Sequence, residues 1–211
     1  VDPDWVVMTT GASEALSALY CLAAEPGASI TLPFPSFPAM PVMARAWGLN
    51  VSTYALDRAN GFKQSAERVL AAVGESTRLV LVNTPHNPTG RVLTKEEMTL
   101  IAELCQKHDA WVITDEPYEH IRFAGDHYVM ATFPGMRERT ITMSSLSKTL
   151  AATGWRLGWM AADARWVRAF GPLNDLFYIC APSPLQLGAA RGLAALDATY
   201  YGGIVTEYQA K

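Results

Sequence analysis

The feature that most constrains the fold is a set of short strands, apolar on both faces, alternating with stretches of helical periodicity. Leu79–Asn83 opens Leu-Val-Leu-Val without a polar break. Such a strand offers no face to water, so it belongs inside a sheet covered on both sides. Trp111–Thr114 and Thr140–Ser144 read the same way, and Trp5–Thr10, Ser29–Leu32, Val51–Leu56 and Trp155–Ala161 bring the strands to seven. Between them, Ser13–Ala24, Met40–Trp47, Ser65–Val73, Thr94 to about His108, Arg165–Phe177 and Leu185–Leu196 space their apolar residues as helices do. Thr94 and Glu97 form a capping box at the head of one helix, and Pro26-Gly27 and Gly48 end two others. This pattern predicts an α/β protein: a three-layer α/β/α domain around a mostly parallel, seven-stranded sheet. No repeat, low-complexity segment or linker divides the 211 residues.

Composition removes several function classes. The net charge is −3 and the basic residues are scattered, which is not a nucleic-acid footprint. No apolar run approaches the roughly 18 residues of a membrane helix. No basic segment precedes an apolar one at the start, so no signal peptide is expected. The chain begins without Met and ends on Glu207–Lys211 in what reads as helix interior, and a processed or truncated chain fits both ends. Cys21, Cys105 and Cys180 lie far apart with no C-x-x-C pair, which suits reduced thiols in the cytoplasm. All three are expected to be small buried apolar residues.

Ligands of such sheets sit beyond the carboxyl ends of the strands, so the residues there carry the functional reading. Thr9-Thr10-Gly11-Ala12-Ser13-Glu14 is a small-residue turn opening a helix, whose exposed N–H groups and dipole suit a phosphate. An ordinary capped helix is equally compatible. A short-chain dehydrogenase would need further glycines where Ala15 and Ser17 stand, and a Tyr-x-x-x-Lys that is absent. Asp115 follows a buried strand, where a carboxylate requires a partner; a helix cap remains open, and no His or Cys stands at metal-ligand spacing with it. Lys148, in Ser144-Ser145-Leu146-Ser147-Lys148, is compatible with a phosphate ligand, a surface residue or a Schiff-base amine. The Ser145-x-x-Lys148 spacing also occurs in penicillin-binding proteins, but their Ser-Asp-Asn and Lys-Thr-Gly elements are missing. His86 reads as structural, His108, His120 and His127 have no partners visible in sequence, Trp155 and Trp159 read as core, and Gly202-Gly203 as a hinge or bend in a long helix or, equally, a simple loop.

Taken together, Asn83-Thr84-Pro85-His86-Asn87-Pro88-Thr89-Gly90, then Asp115-Glu116-Pro117-Tyr118, then Ser145-Leu146-Ser147-Lys148 with Arg156-Leu157-Gly158 resemble the class I/II aminotransferases of the aspartate-aminotransferase superfamily. The resemblance runs from about Val6 to Tyr208. It implies a fold-type-I large domain over residues 1–196, with 197–211 beginning the connection to a small domain. It implies pyridoxal 5'-phosphate as cofactor, held as an internal aldimine by Lys148, which then moves the proton. It implies that Asp115 pairs with the pyridine nitrogen, that Tyr118 and Asn87 bond the phenolic oxygen, and that Phe34 stacks on the ring. Ala12, Ser13, Ser145 and Arg156 would hold the phosphate. The Asn87–Pro88 bond is expected to be cis.

The implied substrates are an amino acid and a 2-oxo acid, and the implied assembly of the full-length protein is a homodimer. In the family, the arginine that binds the substrate carboxylate lies in the small domain, and a tyrosine from the neighbouring subunit lies upstream. Both regions fall outside these residues, so weak cofactor binding and slow turnover are expected of the 211-residue chain, with exposed apolar patches where the missing parts would sit. Rival readings are another chemistry on the same cofactor (a carbon–sulfur β-lyase), an aminotransferase-like regulatory module, and an inactive fragment.

Overall fold

The structure, a computed structural model, describes residues 2–211; Val1, the first residue of the expected domain, lies outside them. Its seven strands are β1 (Val6–Thr9), β2 (Ser29–Phe34), β3 (Asn50–Ala55), β4 (Thr77–Asn83), β5 (Trp111–Asp115), β6 (Thr140–Ser145) and β7 (Gly158–Ala161). They form one sheet in the order β1-β7-β6-β5-β4-β2-β3. All neighbours pair in parallel except β7, which is antiparallel to both β1 and β6. The helices are α1 (Ala12–Ala23), α2 (Ala39–Ala46), α3 (Ala66–Ala72), α4 (Lys95–Lys107), α5 (Leu146–Thr149), α6 (Ala164–Phe177), α7 (Ser183–Ala195) and α8 (Ala198–Gln209).

The side-chain alternation of β4 explains why its sequence has no polar break. Leu79 and Leu81 join a core with Leu19, Tyr20, Ile113, Ile141 and Phe170 on the α1–α6 face. Val80 and Val82 join Val112, Met98, Ile101 and Leu104 on the α3–α4 face. Each such side chain contributes about 1.5–3 kcal/mol by leaving water, so a strand buried on both sides is held twice. The capping box at Thr94 and Glu97 is present, with both reciprocal bonds made.

Three expectations are corrected. The strand expected over Trp155–Ala161 begins only at Gly158, because Thr153–Trp155 is a 3-10 turn and Arg156 adopts a left-handed conformation at φ 53°. Gly202 and Gly203 lie inside α8, which keeps the helix alternative and excludes the loop. Of the three cysteines, all unpaired, only Cys105 is buried; Cys180 is exposed and Cys21 intermediate. Trp159 packs on a small cluster with Leu146 and Leu157, while Trp155 is 43% exposed rather than core. No helix among the described residues is long and apolar enough to cross a membrane.

Candidate active site

Because six strands run one way, their carboxyl ends share one edge, and antiparallel β7 starts at that same edge. Gly158, its first residue, is in register with both Thr9 at the end of β1 and Ser145 at the end of β6. That places the Arg156 turn beside α1 and α5. A side chain at 158 would meet Gly11 and Ala12 backbone atoms at 2.6–2.8 Å, so only glycine permits the approach. Gly11, at φ 89°, lies under the Arg156 guanidinium, 2.5 Å from where a Cβ would sit. Arg156 donates to the carbonyls of Thr153 (3.1 Å) and Thr10 (3.4 Å), which leaves its fork over the open first turn of α1. Glu14 braces this turn by accepting the Thr10 N–H at 2.5 Å. The result is an anion cradle built from a helix N-terminus and a guanidinium.

A cavity of about 250 Å³ opens here, lined by Ala12, Ser13, Asn87, Asp115, Tyr118, Ser145, Lys148 and Arg156. Eight of the nine residues expected at the site therefore meet in one space. The ninth, Phe34, ends β2 with 62% of its surface exposed and lies outside this lining, where Phe37 stands instead. The lining also includes Pro117, Ser147 and Thr153, which the sequence reading did not assign. Ser147 lay within the Ser-Leu-Ser-Lys run, whereas nothing in the sequence marks Thr153. The Asn87–Pro88 bond is cis, as expected; Phe34–Pro35 and Thr84–Pro85 are cis as well.

Asp115 dominates the electrostatics. It is 8% exposed; Oδ2 has one long contact, 3.4 Å from the Asn83 amide, and Oδ1 has no hydrogen-bond partner among the described residues. Burial, aided by the neighbouring Glu116 carboxylate, pushes its carboxyl up to about 7. A cation with a directed N–H would remove that cost, which is the property of a protonated pyridine nitrogen. Lys148, on the short α5, makes no hydrogen bond or ion pair among the described residues; its Nζ lies 5.8 Å from the centre of the Tyr118 ring. Burial, then the Asp115 charge, raise the Tyr118 hydroxyl pKa, keeping it a donor. Ser145 caps α5, accepting the Ser147 N–H and donating to the Ser147 hydroxyl at 2.8 Å. These residues fit pyridoxal phosphate: an amine, an orphaned buried carboxylate, a phenol and an anion cradle.

Two further histidine environments and a second cavity lie outside this lining. His86 is buried with Nδ1 at 2.8 Å from Thr89, and burial lowers its pKa to about 4, in keeping with a structural role. His127 pairs with Glu116 at 2.7 Å, a partner eleven residues away in sequence and invisible there. These two and Glu119 bring potential metal-ligand atoms within 4.8 Å of one another; Asp115 is not among them. A cavity of about 490 Å³ lies against Trp5, Glu116, Arg137 and Trp159, and no lysine lines it.

The sequence profile of the family described as aminotransferase class I and II matches residues 1–207. The chain belongs to that family. It is 39% identical over 164 residues to the arginine–pyruvate transaminase of Pseudomonas aeruginosa, covering 78% of this chain and 42% of the relative. To the aspartate aminotransferase of Musicola paradisiaca it is 36% identical over 192 residues, or 90% of this chain and 47% of that enzyme. Among solved structures, N-succinyldiaminopimelate aminotransferase of Mycobacterium tuberculosis superposes with a TM-score of 0.94 at 34% identity, over 99% of this chain and 55% of that one. The chain spans about half the length of the relatives it matches.

Proposed function

We propose that the protein of which this chain forms the cofactor domain transfers an amino group between an amino acid and a 2-oxo acid with pyridoxal 5'-phosphate. The observation that carries the reading is the buried, unpaired Asp115 carboxylate in the same cavity as an unpaired lysine and an anion cradle. The cofactor supplies an electron sink that stabilises a carbanion at the substrate's α-carbon. Lys148 anchors it covalently and, once released, carries the proton away from that carbon and back. Asp115 keeps the ring nitrogen protonated. Tyr118 and Asn87 donate to the phenolic oxygen, and the exposed ring of Phe34 covers one face. The N–H groups of Ala12 and Ser13, the Ser13 and Ser145 hydroxyls and Arg156 hold the phosphate. We assign residues 1–196 to this domain and 197–211 to the connection beyond it, place the enzyme in the cytoplasm, where its unpaired cysteines stay reduced, and expect a homodimer.

The named relatives act on arginine and pyruvate, on aspartate and on N-succinyldiaminopimelate, so what they share is the reaction rather than the donor. The test is a visible spectrum of the full-length protein with pyridoxal phosphate, beside Lys148→Ala. A visible band in the wild type that the variant lacks is expected; the same band in both removes Lys148 as the anchor. Product analysis separates the chemistries. A new amino acid is the expected product, whereas ammonia with pyruvate marks a lyase.

A further inference from the structure

We propose that Asn83 is a positioning residue that ties Asp115 and Asn87 into one rigid unit, holding fixed the two points at which this site grips the ring nitrogen and the phenolic oxygen of the cofactor. The proposal rests on the function assigned above. Asn83 ends β4, is 3% exposed, and stands in register with Asp115 at the end of β5. Its Nδ2 donates to the Asp115 carbonyl at 2.8 Å and reaches the Asp115 Oδ2 at 3.4 Å, while its Oδ1 accepts the Asn87 backbone N–H at 2.7 Å. A carbonyl on one side and an N–H on the other allow only this orientation of the amide.

The bonds matter because little else does the same work. Strand pairing places the Asp115 backbone but leaves the carboxylate free to turn, and Asn83 is the one side-chain donor within reach of it among the described residues. The Asn87 turn is closed on itself by His86 N–H to the Arg91 carbonyl (2.8 Å) and Gly90 N–H to the His86 carbonyl (2.7 Å). Its attachment at Asn87 is the Asn83 acceptor. No other side chain of this size offers a donor and an acceptor at opposite edges of one plane. Aspartate would set a second carboxylate against Asp115, and leucine would strand two buried polar groups, each costing about 1–3 kcal/mol.

The experiment uses the full-length protein, pyridoxal phosphate as probe, and the variants Asn83→Leu and Asn83→Asp. In cofactor-free protein, a carbon-13 NMR titration of the Asp115 carboxyl should show Asn83→Leu moving it further up, because a donor to the charged form is lost. With cofactor, the visible band of Asn83→Leu should titrate about half a unit or more higher than wild type, since loosened donors at the phenolic oxygen return charge to the neighbouring imine nitrogen. Asn83→Asp should bind within a few-fold of wild type near pH 6, where two adjacent carboxyls share a proton, and roughly tenfold or more weaker near pH 9. Variants that only melt earlier, with the Asp115 titration, the band and the pH ratio unmoved, would make Asn83 merely structural and overturn the proposal. A wild type without a Lys148-dependent band would sink the functional reading instead, and the NMR titration would still judge Asn83 by itself.

Discussion

At the scale of single residues, the site combines a legible part and a hidden part. Lys148, Asp115 and Asn87 stand out because reactive identities at strand ends are few and a parallel sheet gathers those ends, whereas Arg156 is assigned through the family resemblance. The pairing of His127 with Glu116, the bracing of Thr10 by Glu14 and the bridge made by Asn83 depend on distances that spacing does not encode. Asp115 makes the sharpest prediction. Its folded-state pKa of about 7 lies above the ordinary 3.8, so the folded, cofactor-free protein holds a proton that the unfolded chain releases. The stability tied to that proton is fully present below about pH 4 and is lost as pH rises through 7, on the order of a few kcal/mol. Asp115→Asn cannot ionise, so its melting temperature should gain on wild type progressively between pH 4 and 7; His86 titrates in both and cancels. A difference that is flat across that window would mean Asp115 is not buried as a charge. The aromatic assignment is decided by affinity. Phe34→Ala should weaken cofactor binding by roughly fivefold, a stacking energy of about 1 kcal/mol, and Phe37→Ala by less. Equilibrium titration with pyridoxal phosphate that ranks them the other way would move the stacking role to Phe37.

At the scale of elements, six strands and most helices lie within a residue or two of their sequence ranges, and for β4, β5 and β6 the reason is burial on both faces, which leaves an unmistakable apolar run. β7 was overextended for a physical reason: Trp155, Arg156 and Leu157 have strand-like identities, but the antiparallel return needs a left-handed turn at Arg156 before pairing begins. Gly158 is where that return touches α1. Gly158→Ala forces a methyl into backbone atoms at 2.6–2.8 Å, so it should destabilise the domain by about 1–3 kcal/mol in urea melts. It should also weaken binding of pyridoxal phosphate more than of pyridoxal, since the displaced element is the anion cradle. Equal weakening of the two would place the damage elsewhere. In the interior of the sheet, on β4, Leu81→Ala removes a side chain with 0% exposure and should cost about 2–5 kcal/mol without altering that phosphate preference.

At the scale of the whole molecule, the exposed surface carries one concentrated apolar stretch. Leu176 (80% exposed) and Ile179 (73%) flank Phe177 and Tyr178 at the junction of α6 and α7, and Leu187 is open on α7. A contiguous apolar stretch of this kind is uncommon on a soluble monomer and is the kind of surface that a protein–protein or domain–domain contact covers. The relatives have about twice the length from which to supply that cover. The 211-residue chain should therefore self-associate as its concentration rises, and Leu176→Lys with Ile179→Lys should return it toward monomer in light scattering while leaving the α/β circular-dichroism spectrum unchanged. In the full-length protein the same pair of lysines should lower the melting temperature, because charges set under a covering segment lose water without gaining partners. The opposite signs in the two lengths are the decisive feature. A chain that stays monomeric, or lysines that leave the full-length protein unaffected, would mean that this face is ordinary solvent-exposed surface and that the cover lies elsewhere.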